Sequence, residues 1–215
     1  MKSSLWWIAL AAGYGLGAIP FGFLLGKAKG VDVRRQGSGN IGATNVWRVL
    51  GRPWGIATFL LDFLKAPLAI LLAEGWARSR GADAEAVTWC GIAAFAGAIL
   101  GHNFPVWLRF RGGKGVASSA GGLLALMPTA FLAIVGVWVV VFFLSRIVSL
   151  ASLAGALTLP FAAWFLVEPH AGLRGLACLL AVMIVVRHRA NIGRLLAGTE
   201  HRWSKKTVPE TGGQP

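Results

Sequence analysis

The sequence predicts an all-α integral membrane protein, a bundle of about seven transmembrane helices with its N-terminus outside and its C-terminus in the cytoplasm. Three observations carry this. Of 215 residues, 56% are hydrophobic and only 13% charged, with a mean hydropathy of +0.65, outside the range of soluble globular domains. Apolar runs recur at close to spanning length. The basic residues collect in alternate loops.

The apolar segments cover 5–26, 54–73, 87–101, 116–127, 129–144, 150–167 and 173–186. A spanning helix needs about 20 mostly apolar residues, so several are short. The first is too long for a signal-peptide core and ends in Gly26-Lys27 instead of a small-residue cleavage site, so it is read as a span. Its glycines, Gly13, Gly17, Gly22 and Gly26, have the spacing that lets helix backbones approach closely in lipid. The second segment holds Asp62 and Lys65, whose i, i+3 spacing suggests an ion pair inside the bundle. Cys90 and Cys178 stand in apolar stretches without metal-ligand spacing and read as small buried side chains.

If seven helices alternate, Lys2, Arg78, Arg80 and Arg174 fall outside and Lys65 within a span, which leaves 16 of the 21 Lys and Arg in the odd-numbered loops and the C-terminal tail. The positive-inside rule places that side in the cytoplasm. The net charge of +13 therefore reflects topology. Nucleic acid is not the expected partner, because the 10 Trp and 12 Phe lie in the apolar runs and do not interleave with the cations. Residues 1–202 read as one transmembrane domain. Residues 203–215 are polar with Pro and Gly, a composition of disordered tails.

Three cytoplasmic segments carry candidate chemistry. The first loop runs Gly37-Ser38-Gly39-Asn40-Ile41-Gly42-Ala43-Thr44-Asn45-Val46-Trp47-Arg48. Its glycines can turn backbone N–H groups toward an oxyanion, Ser38, Asn40, Thr44 and Asn45 add donors, and Arg48 can grip a phosphate bidentately. The second contains His102 and the run Gly112-Gly113-Lys114-Gly115 just before a helix, where free N–H groups, the helix dipole and an ammonium suit a phosphate. Leu108 and Gly115 depart from the Walker pattern, which removes support for an ATPase. The third combines Ser149 and Ser152 with His188 and Asn191, the last two on one helical face, followed by Glu200. No His/Cys/Asp/Glu cluster suggests a metal, and no paired loop carboxylates suggest glycosidase chemistry.

These three motifs, from Gly37 to Asn45, from Gly101-His102 through Phe110-Arg111-Gly112-Gly113-Lys114-Gly115-Val116-Ala117, and His188 with Asn191, Arg194, Gly198 and Glu200, resemble those of the bacterial acyl-phosphate-dependent glycerol-3-phosphate acyltransferases, the PlsY family. The resemblance extends from the first helix to Glu200. It implies transfer of a fatty acyl group from acyl phosphate to the 1-hydroxyl of sn-glycerol 3-phosphate, giving lysophosphatidate and phosphate, in the bacterial inner membrane. It also implies seven helices, no metal, no coenzyme A and no obligatory protein partner. Carried over, Ser38, Arg48, Lys114, His188 and Asn191 are the catalytic candidates. Gly37, Gly39, Asn40, Thr44, Asn45, His102, Gly112, Gly113, Gly115, Ser149 and Ser152 are the substrate- or phosphate-binding candidates, and Glu200 is a structural anchor. Ser118 stands where the family usually has Thr, and Ala66-Pro67 follows Lys65 where Gly is usual.

Trp107 occupies the position five after His102, so the His–Asp dyad of the soluble-type acyltransferases is absent. Acyl phosphate is already activated, and positioning with charge stabilisation can carry much of the rate. Direct attack by the glycerol hydroxyl is therefore expected, with His188 or a phosphate oxygen taking the proton, in preference to an acyl-enzyme on Ser38. The rival is a transporter of a phosphorylated anion, which would show polar groups continuing to the outer face.

Overall fold

The computed structural model describes residues 2–167 and 169–203, with side chains from Leu5 onward. Glu168 and residues 204–215, most of the expected tail, lie outside the described residues. Ten α-helices and two short 3-10 turns follow one another among the described residues, with no strand.

Each of the seven apolar segments is helical, but their lengths differ from seven equal spans. α1 (Lys2–Gly17) and α2 (Phe21–Ala28) form the first, interrupted because Pro20 cannot continue the N–H ladder. The amphipathic α3 (Ala43–Leu50) leads into α4 (Arg52–Ser79), which starts after Gly51 at φ 88° with Pro53 in its first turn, where proline's missing donor is harmless. α5 (Ala84–Asn103) is capped by Asp83, whose carboxylate accepts from Ala86 N at 2.8 Å. α6 (Val116–Leu126) has 11 residues, and α7 (Pro128–Ser145) and α8 (Val148–Phe165) 18 each. α9 (Ala171–Arg187) meets α10 (Arg189–Leu196) at a 58° bend.

Five helical stretches among the described residues are long and apolar enough to cross a bilayer, or six if α9 and α10 count as one span. The chain is thus a multi-pass membrane protein. The expected fourth span is the exception. At about 1.5 Å per residue α6 rises only about 16 Å, short of a hydrocarbon core of about 30 Å. α7, returning from the Met127 break, rises about 10 Å further, so the loop before α6 is drawn in among the helices; Gly112, Gly113 and Gly115 are buried.

Glycine contacts set the packing around α5. A Cβ on Gly13 or Gly17 would run into the Ala94 or Ala98 carbonyl of α5, and one on Gly97 or Gly101 would strike Leu10 or Tyr14 of α1. Gly22 instead packs against the Ile41 carbonyl, and Gly26 against the Val31 carbonyl and the Val33 side chain. Behind α5 lies the largest apolar cluster, centred on Phe95, Ile99, Ile70, Leu159 and Leu180. Cys90 is buried as expected, whereas Cys178 on α9 is exposed. Pro67 leaves Phe63 O of α4 without its helical donor, and Gly121 of α6 packs against that oxygen. Ser118, at the same contact, donates to Asp62 O at 2.8 Å.

The ion pair inside the second span forms, and it reaches further than the i, i+3 spacing shows. Lys65 Nζ lies 3.0 Å from Asp62 Oδ1, 2.7 Å from His102 Nδ1 of α5 and 3.0 Å from Gly17 O, at the broken end of α1. One ammonium thus satisfies a carboxylate, an imidazole and a terminal carbonyl away from water.

Candidate active site

All three predicted segments meet at one end of the bundle, around a cavity of about 880 Å³. Ser38, Asn40, Thr44, Asn45, Arg48, His102, Lys114, Gly115, Ser149, Ser152, His188, Asn191 and Glu200 line it. Gly37, Gly39, Gly112 and Gly113 do not.

The first loop is shaped by Asn45, which is 2% exposed. Its Nδ2 donates to Val33 O at 2.9 Å, Asn40 O at 2.8 Å and Gln36 O at 3.2 Å, while its Oδ1 accepts from Ser38 N at 2.7 Å. Asn45 is thus the clamp of the loop, its polar atoms already satisfied, and not the free phosphate donor expected. Asn40 likewise accepts from Gly42 N at 2.8 Å. Gly37 and Gly39 hold φ of 58° and 69°, a conformation open to glycine. They shape the turn that presents the exposed Ser38, while Arg48 stands on α3.

A second correction concerns the glycines beside Lys114. The N–H groups of Gly112 and Gly113 were expected to face a ligand, but they donate to Asn103 O at 3.1 Å and His102 O at 3.0 Å. Their carbonyls accept from Arg187 Nη2 at 2.8 Å and Nε at 3.0 Å. Glycine is needed for close approach: a Cβ on Gly113 would overlap the His102 ring, and one on Gly112 the His102 carbonyl and Pro105. His102 is therefore the floor under the loop. With Nδ1 accepting from Lys65, its Nε2 carries the proton and faces the loop and the cavity.

The third segment holds Lys114 from the opposite wall. Glu200 Oε1 accepts from Asn191 Nδ2 at 2.6 Å and Ser149 Oγ at 2.8 Å, and Oε2 from Arg194 Nε at 2.6 Å. Since Asn191 gives its NH₂ to Glu200, its Oδ1 is turned to Lys114 Nζ, 2.5 Å away. Burial raises the Glu200 pKa, but these hydrogen bonds outweigh it and hold the group below its usual value. Ser149 is thus tied to Glu200. Ser152 is also engaged, bonding Val148 O at 2.9 Å and accepting from Trp138 Nε1 at 3.3 Å. Neither is the free ligand expected, although both border the cavity. Trp203, where the tail was expected to begin, stacks edge-on against Trp47 at 4.9 Å.

Burial pushes Lys114 down to about 8; Glu200 opposes this, while Arg194, Arg48 and Arg187 add to it. Burial likewise lowers Arg48. His188 is 2% exposed, and its Nδ1 sits 2.8 Å from Ile184 O. A carbonyl can only accept, so Nδ1 is the donor and Nε2 keeps a lone pair.

Away from these groups the cavity becomes apolar. Phe63, Leu123, Phe131, Ile134 and Leu159 form its deeper wall. Ile56 and Phe59 of α4 and Val135 and Val139 of α7 both line it and are exposed on the bundle's flank, so it opens sideways between α4 and α7. Cations and amides at one end and an open apolar groove at the other suit a ligand with an anionic head and a hydrocarbon chain.

The family described as glycerol-3-phosphate acyltransferase matches residues 7–198. The glycerol-3-phosphate acyltransferase of Mesorhizobium japonicum is 46% identical over 200 residues, covering 93% of this chain and 96% of that protein. The crystal structure of PlsY (YgiH), an integral membrane glycerol 3-phosphate acyltransferase in its glycerol 3-phosphate form, is similar with a TM-score of 0.81 at 40% identity, covering 93% of this chain and 96% of that one. Its lysphosphatidic acid form gives 0.78 at 39%, over 93% and 95%. A family match over residues 7–198 and a sequence and fold shared across nine-tenths of the length place this chain in the glycerol-3-phosphate acyltransferase family.

Proposed function

We propose that this protein transfers a fatty acyl group from acyl phosphate to the 1-hydroxyl of sn-glycerol 3-phosphate, releasing lysophosphatidate and inorganic phosphate. The carrying observation is a cavity that joins a cationic, amide-rich end to an apolar groove open to the flank of the bundle. The acyl chain enters sideways from the bilayer, and glycerol 3-phosphate arrives from water at the polar end.

Arg48 and Lys114 hold the phosphates, Asn191 Oδ1 steadies the Lys114 ammonium, and Ser38 and Thr44 add hydroxyls. The glycerol oxygen attacks the acyl carbon, the bond from that carbon to the phosphate oxygen breaks, and phosphate leaves. The hydroxyl proton passes to His188 Nε2 and on to the departing phosphate. Among the described residues no base hydrogen-bonds Ser38 Oγ, which favours direct transfer over an acyl-enzyme. Phosphorylated-anion transport is less well supported, because the cavity's deeper wall is hydrocarbon.

We read the polar end as cytoplasmic, the N-terminus as outside, and the membrane as the bacterial inner membrane, because the motif loops carry most of the cations. α6 then counts as a seventh, shortened helix, residues 1–202 form one domain, and every assigned group comes from one chain.

Purified protein in lipid, given acyl phosphate, is expected to release phosphate only when glycerol 3-phosphate is present, with lysophosphatidate seen by mass spectrometry. Release that ignores glycerol 3-phosphate, or no acylated product, would refute the reading. The pH dependence follows from Lys114. Its ammonium is lost as pH rises through about 8, so kcat/KM for glycerol 3-phosphate should fall about tenfold per pH unit beyond that point. Lys114→Arg, charged throughout, should remove that alkaline limb. A limb that persists in the variant belongs to another group.

A further inference from the structure

Helical hydroxyls in a membrane protein usually satisfy themselves by bonding the carbonyl four residues back. Thr58, Thr88, Ser145, Ser152 and Thr158 all do so here, at 2.7–3.0 Å. Ser119, in the first turn of α6, does not. It is 1% exposed, and its Oγ has no hydrogen-bond partner among the described residues. The other buried side-chain polar atoms without a partner belong to Trp6, Asn103, His170 and Arg174, none of which lines the cavity. Ser119 does. A buried hydroxyl left dry is costly, so its place on the cavity wall marks a position where a ligand's acceptor would relieve it.

The position specifies that acceptor. Val116, Ala117, Ser119, Ala120 and Leu123 of α6 line the cavity, and all but Ala117 fall at the spacing of one helical face. Ser119 stands about 6 Å of helical rise below Gly115, between Lys114 and the hydrocarbon of Leu123. A donor with its phosphate at Lys114 and its chain in the groove puts its carbonyl at this border.

We propose that Ser119 Oγ–H donates to the acyl carbonyl oxygen of the acyl donor and to the oxyanion that develops there during attack, an inference that rests on the acyltransferase reading. Ser119 forms no covalent bond; the oxyanion collapses as phosphate leaves. Two inert long-chain ligands test this, a 2-oxoalkylphosphonate that keeps the carbonyl and an alkylphosphonate that lacks it. The wild-type protein should prefer the oxo compound by roughly tenfold, and Ser119→Ala should bind both equally, with the alkylphosphonate still at wild-type affinity. In turnover, Ser119→Ala should lower kcat by about 100-fold and leave KM for glycerol 3-phosphate unchanged. A variant that keeps the oxo preference, keeps wild-type kcat, or loses affinity for both ligands alike would overturn the assignment. Failure of the wild-type protein to acylate glycerol 3-phosphate would instead overturn the activity itself.

Discussion

Lys114→Ala is expected to lower kcat/KM for glycerol 3-phosphate by about 1,000-fold, because the lost ammonium–phosphate attraction is about 4 kcal/mol at 4 Å and an effective dielectric near 20. The ammonium is half-buried and held 2.5 Å from Asn191 Oδ1, so water screens it less than it would a surface charge. Asn191 remains fixed by Glu200 in the variant, which confines the defect to the missing charge. Removing a desolvated cation should not lower the melting temperature. Steady-state kinetics in lipid, paired with a thermal melt, check both statements. A loss below tenfold in well-folded protein would show that Lys114 does not hold the phosphate.

The second large effect concerns stability. Lys65→Met should destabilise the fold by about 3–5 kcal/mol, the cost of removing one partner from a buried ion pair. Asp62 is 3% exposed and Lys65 4%, so the carboxylate left behind is buried at the wall of the cavity with no cation beside it. Gly17 O would lose its donor as well, and His102 the group that fixes its tautomer. Activity should fall with stability, since the His102 ring supports Gly113. Unfolding in detergent or bicelles gives the magnitude. The double variant Asp62→Leu with Lys65→Met should recover much of the loss, because replacing a buried pair by apolar side chains is often neutral or better. If the double variant is no more stable than Lys65→Met, the ion pair is not the source of the defect.

The Lys65 case also shows where sequence reasoning stopped. Its i, i+3 partner Asp62 was legible because both lie on one helix. His102, 37 residues away, comes to the same ammonium only because α5 packs along α4. The glycines around Lys114 could be recognised as belonging to a site, but not for their reason: Gly113 is glycine because an imidazole lies beneath it. Asn45 carried the polar side chain of a phosphate ligand, and only the folded loop shows it clamping Val33, Gln36 and Asn40. Ser119 gave no signal at all, since a hydroxyl in an apolar helix reads as self-satisfied until its partner is found missing.

What the sequence by itself determined is what lipid imposes locally: helical segments that satisfy their own backbone, cations collected in alternate loops, and three polar motifs set beside apolar runs. What only the tertiary structure decided is how those motifs divide their work. The α6 segment proved half a span, which draws Lys114 into the bundle; Glu200 aims Asn191 at Lys114; and α4 and α7 part to open the groove. Each of these depends on helix contacts across tens of residues, where a side chain's role is set by the group packed against it and not by its own chemistry.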